Sequence, residues 1–404
     1  MVKLYFDFRD IFRSARLGFS GKKIGLQFLG LLIGYVGYAL LTYIALVTSG
    51  IGFGANWATY RLFPTAVAGG LTWYGWLIFV LGIIFWIIMW LLFSTAAAKV
   101  TYQQLKGDDF YTAREAMGFM SKNWKAVILS PLMVIAIILF LLICGIIIGL
   151  LGKIPYVGEL GFALFSIPIF GVALFVVFLA IVFAVGIIIG PGIVATARED
   201  SFETMIQFFS SIWSQTWRFV IYNVLLGAIT LVGVYVFGAF GYWALKLVYM
   251  VCGWTMGPKL HNMVMAAIKW LPTQIGIWSL WSKGWWCSKL AAVSTYMPTR
   301  VQLHGAEPVA TVIIGIFLIC ILGLVVSYGL STWAAGQAII YLILRKRKDD
   351  ENLLEREDEE EEEFEEEEIE EKKEEAPPAE EKKEKPKEKK PSGEKPQGGK
   401  KKTS

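Results

Sequence analysis

The chain has 404 residues, 55% of them apolar, and a mean hydropathy of +0.54; with its polar end set aside, it is too apolar for an ordinary soluble protein. Its net charge of +4 is a cancellation, because residues 349–404 hold 24 of the 34 acids and 13 of the 38 bases, a net of −11, while residues 1–348 carry a net of +15. The bases of that body flank apolar runs, where anionic lipid meets them, which excludes nucleic acid as their partner.

Near the start, Leu4, Phe8, Ile11, Phe12 and Ala15 fall on one helical stripe, with Asp7, Arg9, Asp10, Arg13 and Arg16 off it. This amphipathic helix passes through Gly18-Phe-Ser-Gly-Lys-Lys23 into the first of six apolar runs, residues 24–47, 73–98, 127–151, 161–193, 219–251 and 309–344. Each holds at least the roughly 20 residues that cross about 30 Å of hydrocarbon as helix. The first lacks a small-residue cleavage site and follows a charged helix, so it is expected to stay as a span.

The lead-in recurs. Thr112-Ala-Arg-Glu115 is a capping box ahead of Ala116, Phe119, Met120 and Trp124, and Lys125 opens the third run. Between the fourth and fifth runs, Asp200 and Glu203 predict a variant capping box. Phe202, Met205, Ile206, Phe209, Ile212, Trp213 and Trp217 then share one face, opposite Glu203, Thr204, Gln207, Ser210, Ser211, Ser214 and Gln215. Arg218 leads into the span, and an amphipathic helix so placed lies in the membrane interface. The expected fold is all-α and polytopic: six transmembrane helices as three hairpins, each preceded by an amphipathic interfacial helix. Amphipathic connectors also serve any multi-span chain, and spacing within the copies differs by a couple of residues, so a true threefold repeat and ordinary connectors are two equal readings of the same pattern.

Within the spans, Gly82, Gly171, Gly186, Gly227 and Gly233 allow close helix approach, and Pro168 and Pro191 are expected to bend the fourth. Trp73, Tyr74, Trp76, Trp217 and Tyr222 sit near span ends, where amphipathic rings favour the headgroup layer. Orientation follows from the bases. Segments 1–23, 99–126, 198–218 and 345–348 carry 6, 5, 2 and 4 Lys/Arg, against Arg61 and Lys153 alone in 48–72 and 152–160. That asymmetry places both termini in the cytoplasm.

Residues 252–308 form the long exterior segment, with tryptophans at 254, 270, 278, 281, 285 and 286 among Lys259, Lys269, Lys283 and Lys289. One amphipathic helix is expected before Pro272, and Trp278, Trp281, Trp285 and Trp286 are expected to anchor a lid on the bilayer surface; a ligand platform is the other reading. Cys252 and Cys287 lie outside the apolar runs and pair if their compartment is oxidising. Cys144 and Cys320 are small core residues. With only His261 and His304 present, no metal site is expected.

Arg345, Lys346, Arg347 and Lys348 form a stop-transfer cluster able to hold anionic headgroups. The domain plan is therefore a six-span body, 1–348, and a disordered Glu/Lys-rich cytoplasmic tail, 349–404, that either contacts a cytoplasmic protein or serves only as a solvated end. No Ser/His/Asp set, phosphate loop or H-E-x-x-H motif occurs, the spans are nearly free of ionisable groups, and no cofactor is implied.

Residues 186–225, GIIIGPGIVATAREDSFETMIQFFSSIWSQTWRFVIYNVL, resemble the recurring element of a bacterial membrane-domain group that includes the membrane portion of glycerophosphodiester phosphodiesterases. Pro191, Glu199-Asp200, Ser210 and Trp217-Arg218 carry the likeness, over roughly a tenth of the chain, or about twice that if residues 106–130 are counted. The soluble barrel and catalytic carboxylates of those enzymes have no counterpart, so the resemblance implies fold and location, not activity. The expected function is a non-enzymatic scaffold or accessory subunit of a prokaryotic cytoplasmic membrane. It would grip lipid, anionic headgroups above all, through Trp124, Lys125, Trp213, Trp217, Arg218 and the 345–348 cluster. The alternative is a transporter or permease component for an apolar or zwitterionic substrate.

Overall fold

The computed structural model describes residues 4–50, 52–65, 70–197, 200–268 and 303–355, and all regular elements among them are helices. Six are long and apolar enough to cross a membrane: α3 (Gly21–Thr48), α5 (Trp73–Lys106), α7 (Trp124–Leu151), α9 (Ser166–Ala197), α10 (Ser201–Met256) and α12 (Glu307–Asp349). The chain is accordingly a multi-pass membrane protein. Shorter helices precede or join them: α1 (Phe8–Ile11), α2 (Arg13–Gly18), α4 (Phe53–Tyr60), α6 (Ala113–Lys122), α8 (Val157–Leu164) and α11 (Pro258–Ile268).

Local chemistry sets the ends. The Thr112 hydroxyl accepts from Glu115 N at 3.2 Å and the Glu115 carboxylate accepts from Thr112 N at 2.7 Å, the expected capping box of α6. The Asp200 box does not form, since Asp200 makes no side-chain cap and Glu203 instead accepts from the Gln207 amide one turn on, at 3.3 Å. Gly107 stops α5 in the left-handed region, φ +113°, with its N–H returned to Gln103 and Gln104. Pro168 is the third residue of α9, in a first turn that tolerates proline without a bend, whereas Pro191 lies inside the helix.

The N-terminal helix departs from its pattern. It is interrupted at Phe12, Phe8 and Phe12 are exposed, and Asp10 is fully buried. The Asp10 carboxylate accepts from Tyr5 N at 2.8 Å and Phe6 N at 2.7 Å, with Arg13 at 3.5 Å, so ionic and hydrogen-bond partners compensate its desolvation.

Burial is concentrated in one half of the bundle, the half that carries residues 4–18 and 350–355, termed the base. The buried stretches are the end of α5 (from Leu91), the end of α9 (from Leu179), the end of α12 (from Ser327) and the starts of α7 and α10. Ala98, Ala195 and Ala338 meet where α5, α9 and α12 converge. Gly192 is pressed so close to α12 that a Cβ there would stand 3.0 Å from the Gln337 carbonyl carbon and oxygen. Lipid tails are as apolar as leucine, so contacts of this kind, and not exclusion of water, hold membrane helices together. In the far half α3 and α5 stay packed through Ala45 and Phe79, while on the other spans Ile146, Leu151, Phe165, Ile167, Phe170, Leu231 and Phe240 are each at least half exposed, surfaces that hydrocarbon covers.

The compact unit runs through Glu355, past the boundary expected at Lys348, because Leu353 and Leu354 fold back and are buried among Leu4, Ile11, Tyr102 and Leu105. Residues 356–404 lie outside the described residues.

Candidate functional site

The sequence-nominated anchors stand at the outside of the base. Trp124 and Lys125 open α7 and are exposed. Trp213 and Trp217 are 83% and 76% exposed, and Arg218 follows them. They flank Gln215, whose φ of −144° and ψ of 38° break α10 within what is otherwise a single helix. So the interfacial helix expected as a separate element is the opening stretch of α10, delimited by a kink. Hydroxyl groups compete for the backbone here: Ser214 donates to the Ser210 carbonyl at 2.6 Å, and Thr216 donates to Ile212. Phe202, Ile206, Trp213 and Trp217 keep an exposed apolar stripe, while Thr204, Gln207 and Ser211, read as the polar face, are buried.

Arg345, Lys346, Arg347 and Lys348 form the last turn of α12, where cations suit the helix dipole. Arg347 also donates to the Phe6 carbonyl at 3.0 Å and to Asp7, tying α12 to the N-terminal segment. Trp278, Trp281, Trp285, Trp286 and Cys287 lie outside the described residues; Cys252 is inside α10 with a free thiol.

Sequence reading counted Lys23 and Lys99 as flanking bases, yet both are fully buried. The Lys23 ammonium donates to Thr101 Oγ1 at 3.2 Å and Gln104 Oε1 at 2.8 Å, both on α5, whereas Lys22 next to it reaches the carbonyls of Asp109 and Tyr111 at 3.1 Å each. Lys99 stands 4.5 Å from the Phe119 ring centre and 5.2 Å from that of Tyr102, a cation–π arrangement between α5 and α6. A signal for Lys23 was present: Lys23, Gln27, Gly30 and Gly34 follow helical spacing and are the buried face of α3. Gln27 donates to Ser94 at 3.3 Å, and Gln337 to Asn223 at 2.6 Å, so two of the helix pairs are also stapled by neutral polar groups.

Two concavities stand out among the described residues. A cleft of about 10 Å³ lies between the α10 kink and the end of α12, lined by Gln207, Ser210, Ser211, Gln215, Arg345 and Lys348 among others. At the far end, a wide groove of about 560 Å³ is lined by Trp57, Arg61, Ala266, Pro308 and Thr311. Among the described residues no group of three or more His, Cys, Asp or Glu is placed to hold a metal ion. No protein-family model, curated protein or solved structure matches this chain.

Proposed function

We propose that the protein is a non-enzymatic scaffold or accessory subunit of a prokaryotic cytoplasmic membrane, with both termini cytoplasmic and its base set in the inner headgroup layer. The observation that carries this is the filled centre of the base. A transporter needs a polar path between the second, fourth and sixth spans, and there Ala98, Ala195 and Ala338 touch, with Gly192 against the α12 backbone. The exposed ring of Trp124, Lys125, Trp213, Trp217 and Arg218 suits the aromatic and cationic preferences of an interface. The acidic tail then serves as a salt-sensitive arm for a basic cytoplasmic partner.

Three related hairpins, each with its interfacial helix, belong to this proposal. Lys22, Lys125 and Arg218 are each followed five residues later by a polar group, Gln27, Ser130 and Asn223, and the first two of these are buried. The far-end groove favours a second reading, movement of lipid or an apolar solute. Reconstitution in vesicles with labelled lipid in one leaflet separates the two. The scaffold gives transfer no faster than empty vesicles and recovers protein partners from mild detergent; transfer well above that background supports the second reading.

A further inference from the structure

All four bases at the end of α12 already meet carboxylates of their own chain. Arg345 is 3.1 Å from both Asp349 and Glu351, Lys346 is 3.0 Å from Asp350, Lys348 is 3.6 Å from Asp349, and Arg347 meets Asp7. Two of them, Arg345 and Lys348, also line the cleft against the α10 kink. Its opposite wall is neutral and polar. The Gln215 amide donates to the Leu344 carbonyl at 3.3 Å, and its buried oxygen has no partner among the described residues. Ser210 and Ser211 add hydroxyls, and exposed Trp213 and Trp217 stand on either side of the kink.

A guanidinium and an ammonium beside hydroxyl donors are the chemistry that binds a phosphate. The cleft as it stands has room for about one water, so a phosphate enters only when a carboxylate leaves. The Lys348 pair, about one-third exposed on both sides, is weak and screened by salt, and the Arg345 pairs are half-buried, with Asp349 and Glu351 still partly open to solvent. Leu353 and Leu354, buried at the base, keep the segment tethered while the side chains at 349 and 351 turn outward.

We propose that Arg345 and Lys348, with the Ser210 and Ser211 hydroxyls of α10, form a binding site for the phosphate of an anionic phospholipid headgroup, which Asp349 and Glu351 occupy as internal substitutes until a lipid displaces them. This rests on the reading that the base lies in a headgroup layer.

The test uses the full chain in nanodiscs of phosphatidylcholine containing phosphatidylglycerol, with retained phosphatidylglycerol counted by native mass spectrometry. Asp349→Asn with Glu351→Gln removes these two carboxylates from the cleft cations, and retention rises about fivefold per cation. Asp350→Asn with Glu355→Gln raises the net charge equally but outside the cleft, and changes retention by less than about twofold. Arg345→Gln lowers retention toward that of phosphatidylcholine, and Lys348→Gln, at an exposed position, gives the same result where the Arg345 variant fails to fold. Displacement of the retained lipid by inorganic phosphate assigns the site to the phosphate group alone; retention in its presence assigns it to the intact lipid. Equal gains in the two double variants, or unchanged retention in both Arg345→Gln and Lys348→Gln, overturn the site. Rapid lipid transfer in vesicles would instead overturn the scaffold reading and leave this site standing.

Discussion

At the scale of single residues, glycine has two different uses in this bundle. At Gly192 a methyl group would meet the backbone of α12, which cannot turn aside, so Gly192→Ala must push α9 and α12 apart. Overpacking of that kind costs about 1–3 kcal/mol. At Gly145 nothing lies within 4 Å of the same methyl, and a glycine-to-alanine change in an open helix interior stabilises by roughly 0.5–1 kcal/mol. The expected result is a lowered melting temperature for Gly192→Ala and an unchanged or raised one for Gly145→Ala, read in one detergent. Equal melting of the two would remove the close α9–α12 contact from the account. The sequence named glycine as a packing residue without showing which glycines pack, because that depends on what faces them. Lys23 and Lys99 were missed because a base beside an apolar run reads as a flank; the spacing of Lys23 with Gln27, Gly30 and Gly34 carried a signal for the first, and only the neighbouring helix shows the burial of Lys99.

Among the elements, span existence was legible and span ends were not. Length and composition located all six, but α5 continues to Lys106, and the helix expected before the fifth span meets it across the Gln215 kink with no loop between them. Helical propensity does not fall at Ser210–Trp217; the break is at Gln215, whose amide reaches the Leu344 carbonyl of α12, a long-range partner that no local pattern reports. The end of the body was placed too early for the opposite reason, since two leucines among acids look like tail until something covers them. Burying Leu353 and Leu354 contributes about 1.5–3 kcal/mol each, and the hydrogen bond from Tyr102 to the Leu353 carbonyl, at 2.7 Å, contributes about 1 kcal/mol more. Truncation after Lys348 should therefore lower the melting temperature measurably, and truncation after Glu355 should not. Tyr102→Phe should fall between the two and closer to the full chain. Identical melting of the two truncations would show that the segment adds nothing to the body.

For the whole molecule, the division is between a packed base and a far half in which α3 and α5 stay paired while α7, α9 and α10 expose apolar side chains. Only a lipid environment makes that arrangement stable, because the far half leaves side chains such as Ile167 and Phe240 about four-fifths exposed. The proposed orientation rests on the basic side chains that collect at the base, which by the positive-inside rule would set it in the cytoplasm. The scaffold reading, the lipid grip and the reach of the acidic tail all depend on that placement. It is tested most directly by labelling intact cells with a membrane-impermeant thiol reagent, after replacing Cys144, Cys252, Cys287 and Cys320. Single cysteines go in place of Lys122, exposed at the end of α6 in the base, and Lys153, exposed in the turn between α7 and α8 at the far end. The account predicts labelling at position 153 in intact cells, and at position 122 only after the membrane is opened. Labelling at 122 and not at 153 in intact cells would contradict it.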